Sequence, residues 1–377
     1  MSVFLSGGTG FLGGYVVSEL LQGSSEKIHV LVREKDKRAC EEKLWRALQL
    51  HISAEQFFAY LPRLHFVYGD LTQDNLGMSR KDHDELLGRV DSVLHIAASL
   101  NRRSEKVCMN VNLRGTLSMI KLGLELEQRR RLRRFSYVST VAVAGQRQSE
   151  LVSEDASIDW SRSDYDPYAR TKKFAEHMVR QMLPSEKVLI MRPSIVMGDS
   201  RFAQTSQFDM VRAFAALMEF PALPMNPKGR LDIVNADFVG AAIARLHQKQ
   251  KLSYDCYHLS SGRDALSAGE IAKSVCQSLD RRVPRFTPAF EHAFSRTVDA
   301  GLLLPKESTL YRVAVLLKVF WPYITFDTVF DSARVEQELG LKAVPFNAYA
   351  AELYRFAKES NFSFPFSPLP QKAAKAA

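Results

Sequence analysis

A glycine-rich turn near the start of the chain constrains the fold more than any other feature. Apolar residues 3–5 precede the turn and amphipathic residues 15–21 follow it, so we predict a strand, a tight turn and a helix. Glycines in such a turn let the chain reverse, let backbone N–H groups approach a pyrophosphate and let the helix pack on the strand. The start of the helix offers unpaired N–H groups and a positive dipole end to phosphates. We therefore predict that this turn binds a dinucleotide through Gly7, Thr9, Gly10, Phe11, Leu12 and Gly13.

Segments typical of strands alternate with segments typical of helices over the first 140 residues. Strands are predicted over residues 27–32, 64–68, 92–99 and 135–139, and one long helix over residues 39–61. This alternation predicts parallel strands joined by right-handed crossovers, which is an α/β fold with a doubly wound parallel sheet. Ligands of such sheets bind at the carboxyl ends of the strands.

The residue that follows the second strand bears on the choice of nicotinamide cofactor. NAD-selective folds place an acidic side chain near this point for the ribose 2′-hydroxyl, whereas an arginine accommodates a 2′-phosphate. Here the strand ends in Arg33, which favours NADPH, although the neighbouring Glu34 counts the other way.

Two other strand ends carry residues suited to the remaining parts of the cofactor. Asp70 follows the third strand and is predicted to accept a hydrogen bond from an adenine amino group, with Leu71 beside the ring. An ordinary turn aspartate explains Asp70 equally well. Ala97 and Ala98 lie at the end of the fourth strand, and their small side chains leave room for a ligand to lie across it. His95 lies inside the apolar run of that strand and is predicted to be a core histidine.

A candidate catalytic group is formed by a tyrosine and a lysine on one predicted helix. Asp166 is suited to cap the start of this helix, and Tyr168 and Lys172 share a face because they are four residues apart. An ammonium group near a phenol favours the phenolate and lowers the phenol pKa. A hydroxyl at the end of the fifth strand would complete an oxyanion-stabilising pair with Tyr168. We predict Thr140 for that role, with Ser139 as the alternative.

These motifs together resemble the extended short-chain dehydrogenase/reductases over roughly residues 1–245. Within that superfamily, the chain is most similar to fatty acyl-CoA reductases and to the thioester-reductase domains of carrier-protein assembly lines. The matching motifs are Gly7-x-x-Gly10-x-x-Gly13, Gly69-Asp70-Leu71, His95-Ile96-Ala97-Ala98, Asn112-x-x-Gly115-Thr116, Ser139-Thr140 and Tyr168-x-x-x-Lys172. The resemblance implies that Asn112 belongs to the cofactor site, and that Lys172 tunes Tyr168 and holds the nicotinamide ribose.

Composition and charge limit the partners that the protein is expected to bind and the cellular compartment in which it is expected to work. The chain has a net charge of +9, which suits nucleic acid, an anionic membrane surface or the phosphates of a cofactor and substrate. We find no nucleic-acid-binding motif and predict no nucleic-acid partner. Separated cysteines and the absence of a His/Cys cluster predict reduced thiols and no metal site. Without a signal-peptide pattern or a sufficiently long apolar run, the expected location is cytoplasmic.

The chain is predicted to contain a nucleotide-binding part and a smaller, mostly helical substrate lobe. The NADP-binding Rossmann domain is expected over residues 1–200, with a return segment at about 230–260. The substrate lobe is expected over residues 201–229 and 261–370, and a disordered tail over residues 371–377. Within the lobe, residues 208–225 are interpreted as an acyl pocket wall or as lobe core. Residues 310–320 are interpreted as core, as pocket wall or as a peripheral membrane contact.

The resulting hypothesis is NADPH-dependent reduction of an acyl thioester, carried by coenzyme A or by a carrier protein, to an aldehyde and then to an alcohol if a second reduction follows. Thr140, Tyr168 and Lys172 are the predicted catalytic residues. The enzyme alternative is a dehydrogenase, epimerase or dehydratase that acts on a sterol, a sugar nucleotide or a ketone. A non-catalytic NADP-binding regulator is the third alternative, and the intact catalytic group counts against it.

Overall fold

A central parallel sheet organises the computed structural model, which describes residues 2–34, 36–155, 158–325 and 327–371. In these residues the strands are β1 (Ser2–Ser6), β2 (Lys27–Val32), β3 (Leu64–Tyr68), β4 (Ser92–His95), β5 (Arg134–Val138), β6 (Leu151–Val152), β7 (Val188–Pro193), β8 (Ile195–Val196), β9 (Ala222–Leu223), β10 (Ile233–Val234), β11 (Cys256–Leu259), β12 (Arg285–Phe286) and β13 (Val329–Phe330).

Helices flank the sheet and build most of the second half of the chain. Those of the described residues are α1 (Phe11–Gly23), α2 (Lys37–Leu48), α3 (Ala54–Tyr60), α4 (Arg80–Arg89), α5 (Glu105–Cys108), α6 (Gly115–Gln128), α7 (Pro167–Met182), α8 (Asp209–Glu219), α9 (Ala236–Gln248), α10 (Ala268–Ser278), α11 (Glu291–Gly301), α12 (Thr309–Thr325), α13 (Ala333–Leu339) and α14 (Ala350–Glu359).

The main sheet has seven strands in the order β11-β7-β5-β4-β1-β2-β3, and every pairing in it is parallel. Alternating side chains of β1 belong to two different cores, because successive residues of a strand point to opposite faces. Val3 and Leu5 pack with α1 and α9 on one face, whereas Phe4 packs with α6 on the other. This is the doubly wound α/β sheet that the sequence predicts.

Strand register aligns the carboxyl ends of β1, β4 and β5. Ser6 of β1 lies beside His95 of β4, and His95 lies beside Tyr137 of β5. The His95 ring is 1% exposed and bonds the Ser6 hydroxyl at 2.6 Å and the Thr116 hydroxyl at 2.9 Å. Its predicted role as a core histidine is confirmed.

Two predicted elements differ from the structure. The single helix expected over residues 39–61 is two helices, because Ser53 starts α3 in a capping box with Gln56. The fourth strand ends at His95 rather than at Ser99, and the residues after it form a loop.

The second half of the chain packs mainly through helices. Helices α8, α10 and α14 share one apolar cluster with Phe346. Two parts of the predicted substrate lobe instead join the core that contains α1, because Val335 of α13 and Leu369 are buried there. The domain boundaries expected at residues 200, 230 and 260 remain predictions, and of the tail expected over 371–377 only residue 371 is described.

Cys40, Cys108, Cys256 and Cys276 are all free and buried. Within the described ranges, the structure contains no cluster of three or more His, Cys, Asp or Glu side chains that could hold a metal ion. Over the same ranges, none of the helices combines the length and the apolar character needed to cross a bilayer.

Candidate active site

A cavity of about 820 Å³ follows the carboxyl ends of β1, β2, β4 and β5. The predicted site residues that line it come from six separate segments of the chain. They are Gly7, Thr9, Gly10, Phe11, Leu12, Gly13, Arg33, Asp70, Leu71, Ala97, Ala98, Thr140, Tyr168 and Lys172. The fold thus brings all but one of the predicted site residues together.

The glycine turn forms one wall of the cavity and leaves the start of α1 open. Gly7 has φ +82°, and a Cβ atom there would lie 2.6 Å from the Ala97 backbone nitrogen, so this position requires glycine. Gly10 occupies the N-cap of α1 and offers no side chain to cap it. The first N–H groups of α1 therefore remain available to an anionic group in the cavity.

Two cations line the end of the cavity beside β2. Arg33 follows the strand as predicted, and Lys43 reaches the same region from α2. The Lys43 ammonium lies 2.5 Å from Glu34 Oε1, so the acidic neighbour of Arg33 is paired with a cation. Asp70 accepts hydrogen bonds from the Thr72 backbone N–H and hydroxyl, both at 2.8 Å.

The predicted catalytic residues meet at the floor of the cavity. Thr140 and Tyr168 both line it, and the Thr140 hydroxyl lowers the pKa of Tyr168. Lys172 Nζ donates to the Val138 carbonyl oxygen at 2.6 Å and lies 4.1 Å from the centroid of the Tyr137 ring. The lysine therefore lies behind the Tyr168–Thr140 pair, against the end of β5.

Burial has the largest effect on the pKa values of Tyr168 and Lys172. Burial raises the pKa of Tyr168 above its usual value, and the Arg102 cation and the Thr140 hydrogen bond oppose this rise. Burial lowers the pKa of Lys172 to about 7, against the influence of Glu176. The expected lowering of the Tyr168 pKa by Lys172 is not what this geometry produces, because the cation beside the phenol ring is Arg102.

Ser139, the alternative to Thr140, is engaged elsewhere. Its hydroxyl donates to Glu176 Oε2 at 2.6 Å. Glu176 also accepts hydrogen bonds from the Arg192 guanidinium at 2.5 and 3.1 Å. Thr140 therefore stays the predicted partner of Tyr168, while Ser139 and Arg192 secure α7 to the sheet through Glu176.

Asn112 is the one predicted cofactor-site residue that does not line the cavity. It lies in a π-helical turn, Met109–Arg114, and is 1% exposed. Its side chain accepts from the Ser99 N–H at 2.7 Å and donates to the Ser99 carbonyl and the Thr171 hydroxyl, both at 3.1 Å. Asn112 therefore supports the loop after β4 and the helix α7 from behind.

Sequence reasoning missed several polar residues that line the cavity, among them Lys43, Arg102 and Tyr323. Arg102 follows the small residues at the end of β4, which is the one signal that could have indicated it. Tyr323 lies on α12, far along the chain from α7, and Lys43 lies half-buried on α2, paired with Glu34.

The sheet order, the glycine turn and the Tyr168–Lys172 pair define a Rossmann fold of the extended short-chain dehydrogenase/reductase class. Residues 5–243 match the NAD-binding family described as male sterility protein. Because this match spans more than half of the chain, the chain belongs to that family.

Curated relatives confirm the resemblance to both predicted groups. The chain is 28% identical over 276 residues to a non-canonical nonribosomal peptide synthetase of Cladobotryum sp., covering 70% of this chain and 26% of that protein. It is 25% identical over 330 residues to a putative fatty acyl-CoA reductase of Drosophila melanogaster, covering 75% of this chain and 59% of that protein. The chain thus spans about a quarter of the length of the first relative and three fifths of the second.

Solved structures confirm the fold class. The terminal R domain from the myxalamid PKS-NRPS biosynthetic pathway has a TM-score of 0.79 at 23% identity, covering 96% of this chain and 91% of that one. A UDP-glucuronic acid 4-epimerase from Bacillus cereus has a TM-score of 0.63 at 17% identity, covering 97% and 100%. At such identities the likeness concerns the fold alone. Membership of the family, with relatives named as reductases, confirms the predicted class of enzyme, an NAD(P)-dependent oxidoreductase.

Proposed function

We propose that this chain reduces an acyl thioester with NADPH, releasing a free thiol and an aldehyde. The observation that carries the proposal is that Thr140, Tyr168 and Lys172 line one cavity together with the uncapped start of α1. The same cavity extends to residues of the second half of the chain, including Met210 and Tyr323, and so has room for a substrate beside the cofactor.

The residues of the glycine turn fit a nicotinamide dinucleotide. The close approach of Gly7 to Ala97 and the open N–H groups of α1 form a cradle that a side chain would fill. Arg33 and Lys43 are the two cations that would contact a 2′-phosphate. Pairing with Lys43 compensates the negative charge of Glu34, which removes the main argument for NADH.

The catalytic residues would act on the carbonyl group of the thioester. When bound, the cofactor supplies a hydride to the carbonyl carbon. The hydroxyl groups of Thr140 and Tyr168 would donate hydrogen bonds to the carbonyl oxygen and so stabilise the oxyanion as negative charge develops there. The carbon–sulfur bond then breaks, the thiolate takes up a proton, and the oxygen reforms the carbonyl of the aldehyde. In a second reduction, Tyr168 would transfer its proton to the alkoxide.

Residues from the second half of the protein would accommodate an apolar acyl group. A smaller apolar space of about 60 Å³ lies next to the main cavity, and Met210 lines both. Phe214, Leu217 and Leu223 line this space, which supports a pocket wall within residues 208–225. The relatives include a peptide synthetase and a putative fatty acyl-CoA reductase, which supports carrier protein and coenzyme A alike as the thiol component.

The test follows NADPH absorbance and free thiol together during anaerobic incubation with acyl-CoA and acyl-carrier thioesters. We expect thiol release to be proportional to NADPH loss. The ratio should be one NADPH per thiol for an aldehyde product and two for an alcohol. Tyr168→Phe keeps the ring but loses the hydroxyl, so it should bind NADPH normally and release thiol at least about 100-fold more slowly.

Two results would contradict the proposal. NADPH that binds but is not consumed with any thioester would refute thioester reduction and favour a ketone, sterol or sugar-nucleotide substrate. Unchanged thiol release by Tyr168→Phe would refute the assigned mechanism.

A further inference from the structure

Arg102 joins two tyrosines that come from distant parts of the chain. It lies in the loop after β4, and its guanidinium carbon is 4.7 Å from the centroid of the Tyr168 ring. The same carbon is 4.6 Å from the centroid of the Tyr323 ring on α12. The Arg102 side chain is only 16% exposed, which strengthens cation–π contacts because less water competes for the charge.

Hydrogen bonds close a ring around this cation. Arg102 Nη1 donates to Asp166 Oδ2 at 3.0 Å and to the Tyr323 hydroxyl oxygen at 2.5 Å. The Tyr323 hydroxyl in turn donates to Asp166 Oδ2 at 2.8 Å. The other carboxylate oxygen of Asp166 accepts the Ala169 N–H at 2.8 Å and caps α7. One carboxylate therefore holds the start of the catalytic helix, the arginine and the distant helix together.

We propose that Arg102 is a positioning residue that holds the Tyr168 ring in its reactive orientation and ties α12 to the start of the catalytic helix. This inference rests on the proposed reductase function and adds a condition to it, namely that α12 must be docked for Tyr168 to act. A flat guanidinium can stack between two rings while its N–H groups bond the carboxylate, and a lysine ammonium cannot.

The charged surroundings of Tyr168 give this role a measurable signature. The titratable groups that face Tyr168 come from the loop after β4, α5, β5, its own helix and α12, and are Arg102, Cys108, Tyr137, Asp166, Lys172 and Tyr323. Arg102 opposes the rise that burial imposes on the pKa of Tyr168, whereas Asp166 adds to it. Removal of the Arg102 charge should therefore raise this pKa further.

The kinetic test compares Arg102→Met and Arg102→Lys with Arg103→Met, a substitution at the exposed neighbouring residue. We expect kcat for thiol release to fall on the order of 10- to 100-fold in both Arg102 variants, because the Tyr168 hydroxyl that stabilises the oxyanion is misplaced. NADPH affinity, measured by fluorescence titration, should stay within about twofold, since Arg102 packs against Tyr168, Asp166 and Tyr323.

The pH profile separates positioning from charge. Tyr168 must be protonated to donate, so activity is lost as the pH rises through its pKa. This basic limb should move to higher pH in Arg102→Met and stay in place in Arg102→Lys, which retains the charge. Unchanged kcat in both variants, or an unchanged limb in Arg102→Met, would overturn the proposal.

A second measurement does not depend on activity. Hydrogen exchange of the backbone amides in α12 and in the first turn of α7 should be faster in Arg102→Met than in the wild type or Arg103→Met, because the bridge that opposes local opening is lost. If wild-type protein reduces no thioester but this change occurs, the reductase proposal fails and the structural tie stands. If exchange is unchanged, the tie itself is refuted, whatever the enzyme reduces.

Discussion

Replacing Glu176 by glutamine removes the charge from the most buried ion pair under the site. The Glu176 side chain on α7 is 0% exposed and that of Arg192 on β7 is 4% exposed. Glu176→Gln leaves the Arg192 guanidinium without its main counter-charge in the interior. Arg180 also bonds Glu176, at 3.2 Å, but it is 30% exposed and keeps Asp255 as a second partner at 2.7 Å.

The expected loss follows from that burial. Removal of one partner from a buried ion pair lowers the free energy of unfolding by about 3–5 kcal/mol. Glutamine keeps the shape of glutamate, so we expect a loss near about 3 kcal/mol. For a chain of this length the entropy of unfolding is about 0.8 kcal/mol/K, so about 3 kcal/mol lowers Tm by about 4 °C if the chain unfolds as one unit.

The same pair predicts a dependence on pH. Burial alone would raise the pKa of Glu176, but Arg192, Arg180 and the Ser139 hydrogen bond together outweigh burial and hold the pKa at about 2 rather than 4.5. Because the folded pKa lies below the unfolded one, the stabilisation is complete above pH 4.5 and is lost as the pH falls towards 2. The gap in stability between wild type and Glu176→Gln should therefore be constant near neutral pH and close on acidification.

The assay is thermal denaturation followed by circular dichroism, with two matched controls. Glu85→Gln removes an exposed pair with Arg89, whose side chains are 44% and 61% exposed, and should cost less than about 0.5 kcal/mol. The double variant Glu176→Met/Arg192→Met removes both charges and should recover most of the loss. A Tm of Glu176→Gln within about 1 °C of the wild type would refute the reasoning.

Three further predictions concern the cavity. Gly7→Ala, at positive φ, should weaken NADPH binding more than about tenfold by fluorescence titration, whereas Gly88→Ala, with nothing within 4 Å of its Cβ, should leave it unchanged. Lys43→Ala should lower affinity for NADPH about tenfold and leave NADH affinity unaltered; equal losses for both would remove Lys43 from the 2′-phosphate site. Thr140→Ala should slow thiol release about 100-fold, while Ser139→Ala should mainly cost about 1–3 kcal/mol in thermal denaturation; the reverse pattern would exchange their roles.

Local pattern was sufficient for much of the sheet. The β-branched run of residues 27–32 and the apolar run of residues 64–68 became strands with the predicted limits, because their packing inside the sheet agrees with their local preference. The helix expected over residues 39–61 failed because Ser53 and Gln56 form a capping box, a signal present in the sequence that hydrophobic periodicity alone does not register.

The site residues that the sequence did not predict depend on contacts between distant parts of the chain. Arg102 meets Tyr323 across 221 positions of the chain, and no local pattern indicates which arginine will stack on which ring. Asn112 belongs to a motif that predicts proximity to the cofactor, but only the three-dimensional arrangement distinguishes a ligand from a residue that supports the loop behind it. Lys43 likewise became visible as a cavity residue only once α2 was packed beside β2.

The buried cysteines have a practical consequence for enzymology. Burial raises the pKa of all four thiols, to about 11 for Cys40 and Cys256, so thiolate is scarce and shielded in the native protein. A chromogenic disulfide reagent should therefore stay colourless with native enzyme and report the liberated acyl carrier in real time. Adding denaturant at the end should then release four equivalents of colour, so each reaction contains its own standard for enzyme concentration.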